Sequence, residues 1–380
     1  MGSKAYPKAE VVDTLPSVLD NTSSLFYWQG ELWTVNDHGG LVMYSLDTLS
    51  AQVLRRLPAE DTLPLFSDME ETAQDSSYFY FGDFGNNHEQ PRNDLRVLRL
   101  SKADLLEGVF RFDTIFFTYE GYTDISGHRK SLPTTDYDCE AMIVDGDSLY
   151  LFTKQWTSFN TECFALPNTP GRHTARSRGR LEVEGLVTGA CYLPQHRLLV
   201  LSCYSIFCQP FVYLLYGFQG TGFFEGEGRR LPLDNPIGTQ TEAIASIDGL
   251  HYYLTNENLS RSGITCPPQL LKLDLTDYLG HYLGSDTTHV GANVTDVGNQ
   301  IFKVSPNPVS DRLSITGSRM CAGEEYVATL YDISGKEVMS FPVTHPDCQI
   351  VDMGKLSSGA YLLCLTLKGS QLECHTIVKK

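Results

Sequence analysis

Three stretches of this 380-residue chain place carboxylates just ahead of an alternating apolar run: "SDMEETAQDSSYFYFGDFGNN" (67–87), "DYDCEAMIVDGDSLYLFTK" (136–154) and "TQTEAIASIDGLHYYLTNE" (239–257). Their markers are Glu70, Glu140 and Glu242, with Asp68 and Asp138 beside the first two and Glu257 at the end of the third. Hard oxygen donors gathered from separate segments suit Ca²⁺, which takes about six to eight oxygens in loose geometry. Like charges that approach one another need a cation, protons or hydrogen bonds to offset them. Asp68, Glu70, Asp138, Glu140, Glu242 and Glu257 are therefore candidate ligands of a divalent cation, Ca²⁺ first. Asn36, Asp37, Asp83, Lys154 and Asn256 close the strands that follow, and together with His38 of "NDHGG" they are candidate groups for a small ligand. The competing reading makes the acids latches that accept hydrogen bonds from neighbouring turns, and His38 a turn residue. "GDFGNN" reads as a tight bend, and no G-x-S-x-G, P-loop, H-E-x-x-H or dinucleotide fingerprint occurs.

Elements of one recurring kind must position these groups. "LWTVND", "YFYFGD", "LYLFTK", "LLVLSCY" and "YYLTNE" start at residues 32, 78, 149, 198 and 252, each behind a turn of small or polar residues. Several short strands repeated about every 40–50 residues point to a β-propeller, because one blade cannot bury both its faces alone. The expectation is an all-β chain. A segment 1–19 leads into a propeller over 20–295 with five blades, or six if residues 5–20 pair with "HYLGSDTTHV" (281–290). "FDTIFFTYEGYTD" (112–124) is expected to widen the second blade. Taking the five aligned strands as the innermost ones sets the carboxylates in the turns before them, around the mouth of a central channel. The equivalent places in the other two units are Gly189 and Ser23 or Ser24.

Charge separates the chain into two parts. The whole carries 29 Lys+Arg against 46 Asp+Glu; residues 300–380 hold 8 of each, so the net −17 belongs to residues 1–299. Such a body repels phosphate backbones, which argues against nucleic acid, and attracts cations. No apolar run is long enough to span a membrane as a helix, and "MGSKAYPKAE" lacks the apolar core of a secretory leader. The ten cysteines show no zinc spacing. Cys203 and Cys208 are near enough to bridge, whereas "YLLCLTL" and "TGACYL" read as strands with buried thiols.

The motifs "SDMEETAQD", "YFGDFGNN", "DYDCEAM" and "TQTEAI" resemble the D-x-E blade markers of secreted bacterial propellers, akin to the phytase-like and SdiA-regulated-like families. That resemblance implies calcium at the channel mouth and, in members with activity, hydrolysis of phosphate or other esters. The chain departs from phytases in lacking a Lys/Arg cluster at the mouth. Composition changes at about residue 297, and short alternating strands follow to the end, as in a small immunoglobulin-like β-sandwich. "SPNP" (305–308), "LYDISGKEV" (330–338), "LSSGAYLL" (356–363) and the ending "TIVKK" resemble the C-terminal sorting domain of type IX secretion cargo over residues 300–380. The resemblance implies export on a leader that this start does not carry, passage through the type IX translocon and sorting machinery, and release or attachment at the cell surface. The expected function is binding of a divalent cation and a small ligand, with metal-assisted ester or phosphoester hydrolysis as the enzymatic form. The alternative is a non-enzymatic surface module for protein or glycan.

Overall fold

The computed structural model describes residues 6–58, 65–87, 92–122, 135–261, 264–285, 302–306, 308–317, 326–332, 336–343, 349–367 and 370–380. It forms two compact units, Met1–Val290 and Gly291–Lys380.

The first unit opens with β1 (Glu10–Thr14) and continues as antiparallel meanders. The first comprises β2 (Thr22–Trp28), β3 (Glu31–Asn36), β5 (Met43–Leu46) and β6 (Val53–Leu57), with a two-residue strand β4 (Gly39–Gly40) reaching out to β7 (Leu65–Phe66). The second holds β8 (Met69–Gln74), β9 (Tyr78–Asp83), β10 (Arg96–Ser101) and β11 (Phe112–Tyr119). The third holds β12 (Asp138–Asp145), β13 (Ser148–Lys154), β14 (Thr161–Pro167) and β15 (Gly171–Leu181). The fourth holds β16 (Leu186–Leu193), β17 (Leu198–Tyr204), β18 (Pro210–Tyr216) and β19 (Glu227–Pro232). The last holds β20 (Thr241–Ser246), β21 (His251–Asn256) and β24 (Gln269–Asp274), with a small hairpin of β22 (Leu259–Arg261) and β23 (Ile264–Cys266) between them. β1 pairs with β24 and supplies the fourth strand of that sheet, tying the start of the chain to the end of the unit.

The first strands β2, β8, β12, β16 and β20 lie beside one another in sequence order, and β20 returns to β2. The apolar alternation explains this closed, propeller-like arrangement, because each sheet has two greasy faces and each face needs a neighbour. Trp33 and Phe26 pack with Phe79 and Phe81 between the first two sheets. Tyr80 and Phe117 meet Phe164 and Leu151 in the next gap. Phe152 and Tyr150 meet Phe211 and Phe218 in the third, and Val212 and Leu214 meet Tyr252 and Leu254 in the fourth. Leu32 and Tyr44 meet Ala243 and Leu270 where the ring closes. The turns follow their chemistry too: Gln29 and Gly30 both have positive φ, 50° and 78°, as the β2–β3 hairpin requires.

Several expectations change. The aligned strands "LWTVND" to "YYLTNE" are second strands, and the carboxylate segments are themselves the first, axis-lining ones. Among the described residues 6–20 and 281–285 no strand pairing joins the two segments. Glu10–Thr14 joins β24, Thr276–Ser285 is a helix, and 286–290 lie outside the described residues. Residues 10–14, set apart as an N-terminal segment, thus belong to the body. Phe112–Tyr119 does widen the second sheet, and it pairs in parallel with β15, joining the second and third meanders edge to edge. Cys203 does not bridge to Cys208: its thiol is free, as are those of Cys139, Cys163, Cys191 and Cys266.

Gly189 occupies its place for packing rather than as a marker. A Cβ there would stand 2.5 Å from the Glu242 carbonyl oxygen, so only glycine lets β16 and β20 come this close. Overpacking of this kind costs about 1–3 kcal/mol. Gly189→Ala is expected to lower the urea midpoint accordingly, and an unchanged midpoint would contradict the close approach.

In the second unit β25 (Phe302–Ser305), β26 (Arg312–Gly317) and β29 (Gln349–Asp352) form one sheet. β28 (Glu337–Val343), β27 (Tyr326–Asp332), β30 (Gly359–Leu367) and β31 (Ser370–Lys379) form the other. Both contribute to one core, with Phe302, Leu313 and Ile315 from the first and Ala328, Leu330 and Leu365 from the second. Cys364 is disulfide-bonded.

Candidate functional site at the acidic end of the channel

The five axis-lining strands share an irregularity that the sequence hid. Each ladder slips near its start, at Ser23 in β2, Glu70 in β8, Glu140 in β12, Thr188 in β16 and between Thr241 and Ile244 in β20. A bulge inserts a residue that breaks the in–out alternation and re-aims a side chain, here at the same level around the ring. Ser23, Glu70, Glu140 and Glu242 consequently line one cavity of about 180 Å³, together with Asp37, Asp68, Glu257 and Lys154. The fourth position holds Thr188 rather than Gly189, and its hydroxyl donates to the Thr241 carbonyl at 2.6 Å.

Among the described residues a single cation, Lys154, stands among these acids. Lys154 Nζ lies 2.5 Å from Glu140 Oε2, and both side chains are 5% exposed. The Trp156 and Tyr204 rings flank the same ammonium, with centroids 4.9 and 5.1 Å away, a cation–π setting. The Glu140 carboxyl stands beside that of Glu242 and adds to the rise of its pKa. The Glu242 Oε1 atom is buried without a partner.

Electrostatics follow from this crowding. Burial, then the charges of Glu140, Asp68 and Asp138, push the Glu70 carboxyl well above the usual carboxylate range. Glu242 rises in the same way, through burial and then Glu257. Glu140 is pushed up to about 8, chiefly by burial, with the Lys154 ammonium opposing the rise. Burial pulls Lys154 downward, but Glu140, Tyr204 and Glu242 outweigh it and keep the ammonium charged. The site therefore balances its charge with one lysine and several protons.

Other candidates serve as latches. Asp138 accepts the Asn86 and Cys139 N–H groups at 2.7 and 3.1 Å and the Trp156 indole N–H at 2.7 Å. Asp83, fully buried, pairs with Arg92 and Arg96 and accepts the N–H groups of Ser67 and Asp68. Asn256 donates to the carbonyls of Glu257 and Pro267, and Asn36 to that of Val18. His38 is 62% exposed, is paired with Asp37, and does not line the cavity. The "GDFGNN" bend does reach the site: a Cβ on Gly85 would stand 2.3 Å from Asp68 Oδ2 and from Glu70 Oε1.

Trp156, Tyr204, Asn21, Asn87 and Gln240 also line the cavity and were not singled out in the sequence. Glu71 was missed as well. Its carboxylate accepts the Ala190 N–H at 3.1 Å, reaching from β8 past β12 to β16 across the axis, and burial raises its pKa well above the usual range. Only the "TKQW" spacing, with Trp156 two residues beyond Lys154, offered a signal. Among the described residues no group of three or more His, Cys, Asp or Glu side chains is arranged to hold a metal ion. The six carboxylates of the cavity are grouped around Lys154 instead.

Residues 303–380 match the family described as secretion system C-terminal sorting domain. This type IX tail marks the chain as a secreted or outer-membrane surface protein that engages the secretion machinery. No helix among the described residues is long and apolar enough to cross a membrane. No curated protein sequence matches the chain. Among solved structures it is similar to glutaminyl cyclase of Myxococcus xanthus, with 12% identity, TM-score 0.41, and coverage of 71% of this chain and 99% of that one. It is also similar to the PQQ-bound aldose sugar dehydrogenase of Streptomyces coelicolor (11%, TM-score 0.40, coverage 72% and 99%). A third is exo-β-1,3-galactanase of Phanerochaete chrysosporium (11%, TM-score 0.42, coverage 94% and 94%). Likenesses of this size carry nothing about what the chain binds or does.

Proposed function

We propose that the exported protein is a five-bladed propeller, with an immunoglobulin-like sorting tail, whose acidic channel end binds a small cation. A divalent ion, Ca²⁺ first, is the leading candidate. The observation that carries this reading is the convergence of Glu70, Glu140 and Glu242, from three separate strands, on one cavity with Asp68 and Glu257. Desolvated carboxylates at this density hold protons until another positive charge replaces them. An entering cation would displace protons from the raised carboxyls and draw on Asp68, Glu70, Glu242 and Glu257, while Lys154 keeps Glu140. The ion would supply a positive centre able to polarise an anionic or polyhydroxylated ligand, and the cavity of about 180 Å³ suits a small one.

Calorimetric titration with CaCl₂ at pH 8 tests this. Saturable binding with release of protons to the buffer is expected, and Glu70→Gln/Glu242→Gln should weaken it at least tenfold. Absence of any heat at millimolar Ca²⁺ would remove the cation reading. Turnover of ester or phosphoester substrates that stops with chelator would add the hydrolase. Partner capture indifferent to chelator would favour the surface binding module.

A further inference from the structure

Where the fourth meander meets the last, the acidic cavity is bordered by an apolar shelf. Tyr204, which ends β17 and lines the cavity, runs directly into the turn 205–209. Gln240, which lines the cavity just ahead of β20, ends the loop 233–240 that follows β19. The Gln240 amide donates to the Tyr204 hydroxyl at 3.2 Å and the Gly238 N–H to the Cys208 carbonyl at 2.9 Å, so turn and loop stand side by side. Their tips are apolar and face solvent: Phe207 is 72% exposed, Ile206 and Ile237 56% each. The turn is firmly held. The Ser205 hydroxyl accepts the N–H groups of Phe207 and Gln209, both at 3.3 Å, and its carbonyl accepts that of Cys208 at 2.7 Å. The Gln209 amide donates to the Leu233 and Asn235 carbonyls, both at 2.9 Å. Neighbouring apolar side chains fixed in water by this many hydrogen bonds mark a contact surface.

We infer that this end of the channel takes a primary ammonium carrying an apolar body, with the ammonium in the cavity and the body on Ile206, Phe207 and Ile237. The inference rests on the cation reading of the cavity and names an organic cation that competes with a divalent ion for the same space. Glu242 is 5% exposed, lines the cavity and leaves Oε1 without a partner, with Glu257 close enough to press on its charge. An ammonium has three donors and is satisfied by single, separately placed acceptors. The acids stand in that way, since among the described residues no three are arranged to hold a metal ion. The chain's own ammonium, Lys154, already rests there on Glu140, beside the Trp156 and Tyr204 rings. A cavity of about 180 Å³ holds a head and little more, so an attached body must lie outside it. Phe207 and Ile237 are each three residues from a lining residue, which is at most about 11 Å of chain and within reach of an alkyl tail. A bare metal ion makes no use of the shelf, and an anion is repelled by the acids beside it.

The test is calorimetric titration of the full chain with octylamine at pH 8, with methylamine, octanol, octanoate and CaCl₂ as comparators. Octylamine is expected to bind about tenfold or more tighter than methylamine, which lacks the body, and than octanol, which lacks the charge. Octanoate should not bind, and added Ca²⁺ should weaken octylamine by competition. Phe207→Ser/Ile237→Ser should weaken octylamine about fivefold or more, at unchanged melting temperature and unchanged Ca²⁺ affinity. Glu242→Gln should weaken both amines. Equal binding of octanol, or undiminished octylamine binding by either variant, would overturn the inference. Heat with CaCl₂ but none with octylamine would overturn it and leave the cation reading standing. No heat with either would remove both, whereas octylamine binding without Ca²⁺ binding would keep the inference and drop the divalent ion. Retention of the chain on phosphatidylcholine vesicles through Phe207 and Ile237 would also overturn it, giving the shelf to a bilayer.

Discussion

Lys154→Met is expected to cost about 3–5 kcal/mol of folding stability at about pH 9.5, the usual penalty for stranding one partner of a buried ion pair, and far less at pH 5. Among the described residues Lys154 is the one basic side chain lining the cavity, and its ammonium sits 2.5 Å from Glu140 with both groups buried. Without it Glu140 has two choices, to stay charged in a site already crowded with acids or to take up a proton. At pH 5 the proton is cheap, because Glu140 holds it up to about pH 8 even with the lysine present. At about pH 9.5 neither choice is. Chemical denaturation at the two pH values measures the difference directly. A loss that is the same at both would mean that Lys154 acts through packing against Trp156 and Tyr204 rather than through its charge.

The second large effect concerns the native protein. Glu70, Glu140 and Glu242 hold their protons more tightly folded than the roughly 4.3 of an unfolded glutamate allows. The native state therefore binds more protons than the unfolded chain above that pH, and each such group removes stability as pH rises, by about 1.4 kcal/mol per unit while it stays protonated. For Glu140 the window runs from the unfolded value to about 8. In chelator, the melting temperature is expected to fall by several degrees between pH 5 and pH 8, and Glu140→Gln should flatten the slope. Added Ca²⁺ should raise the melting point most at pH 8, where protons compete less for the site than at pH 5, through about 2.7 kcal/mol of added stability at a concentration a hundred times the dissociation constant. A Ca²⁺ shift larger at pH 5 than at pH 8 would contradict exchange of cation for protons. Equal melting temperatures across the range would contradict the raised carboxyls themselves.

Much of this was legible in the residues. The recurring strands, their approximate spacing, the acid markers and the sorting motifs are local patterns, and short-range chemistry writes them plainly. Which strand of each meander faces the axis was not legible. Apolar alternation looks alike in first and second strands, because both are buried on two faces, as "TEAIAS" and "YYLTNE" illustrate. The bulges were hidden as well, since a one-residue slip leaves no mark on composition. It is the slip at Glu140 and its counterparts that turns an ordinary strand position into a wall of the cavity. Asp138 and Asp83 show the limit from the other side, being acids in the right segments whose oxygens are taken up by backbone N–H groups, an indole and two arginines.

By itself the amino-acid order determined the export address, an all-β body and a set of acids recurring through it, because motif spacing, alternation and residue type are properties of neighbours along the chain. Only the closed ring decided that Glu70, Glu140 and Glu242 share one space, and that Lys154 rather than a latch of backbone amides stands among them. Burial and mutual repulsion arise between groups up to 172 residues apart (242 − 70). Their energies exist only once packing has removed the water between them.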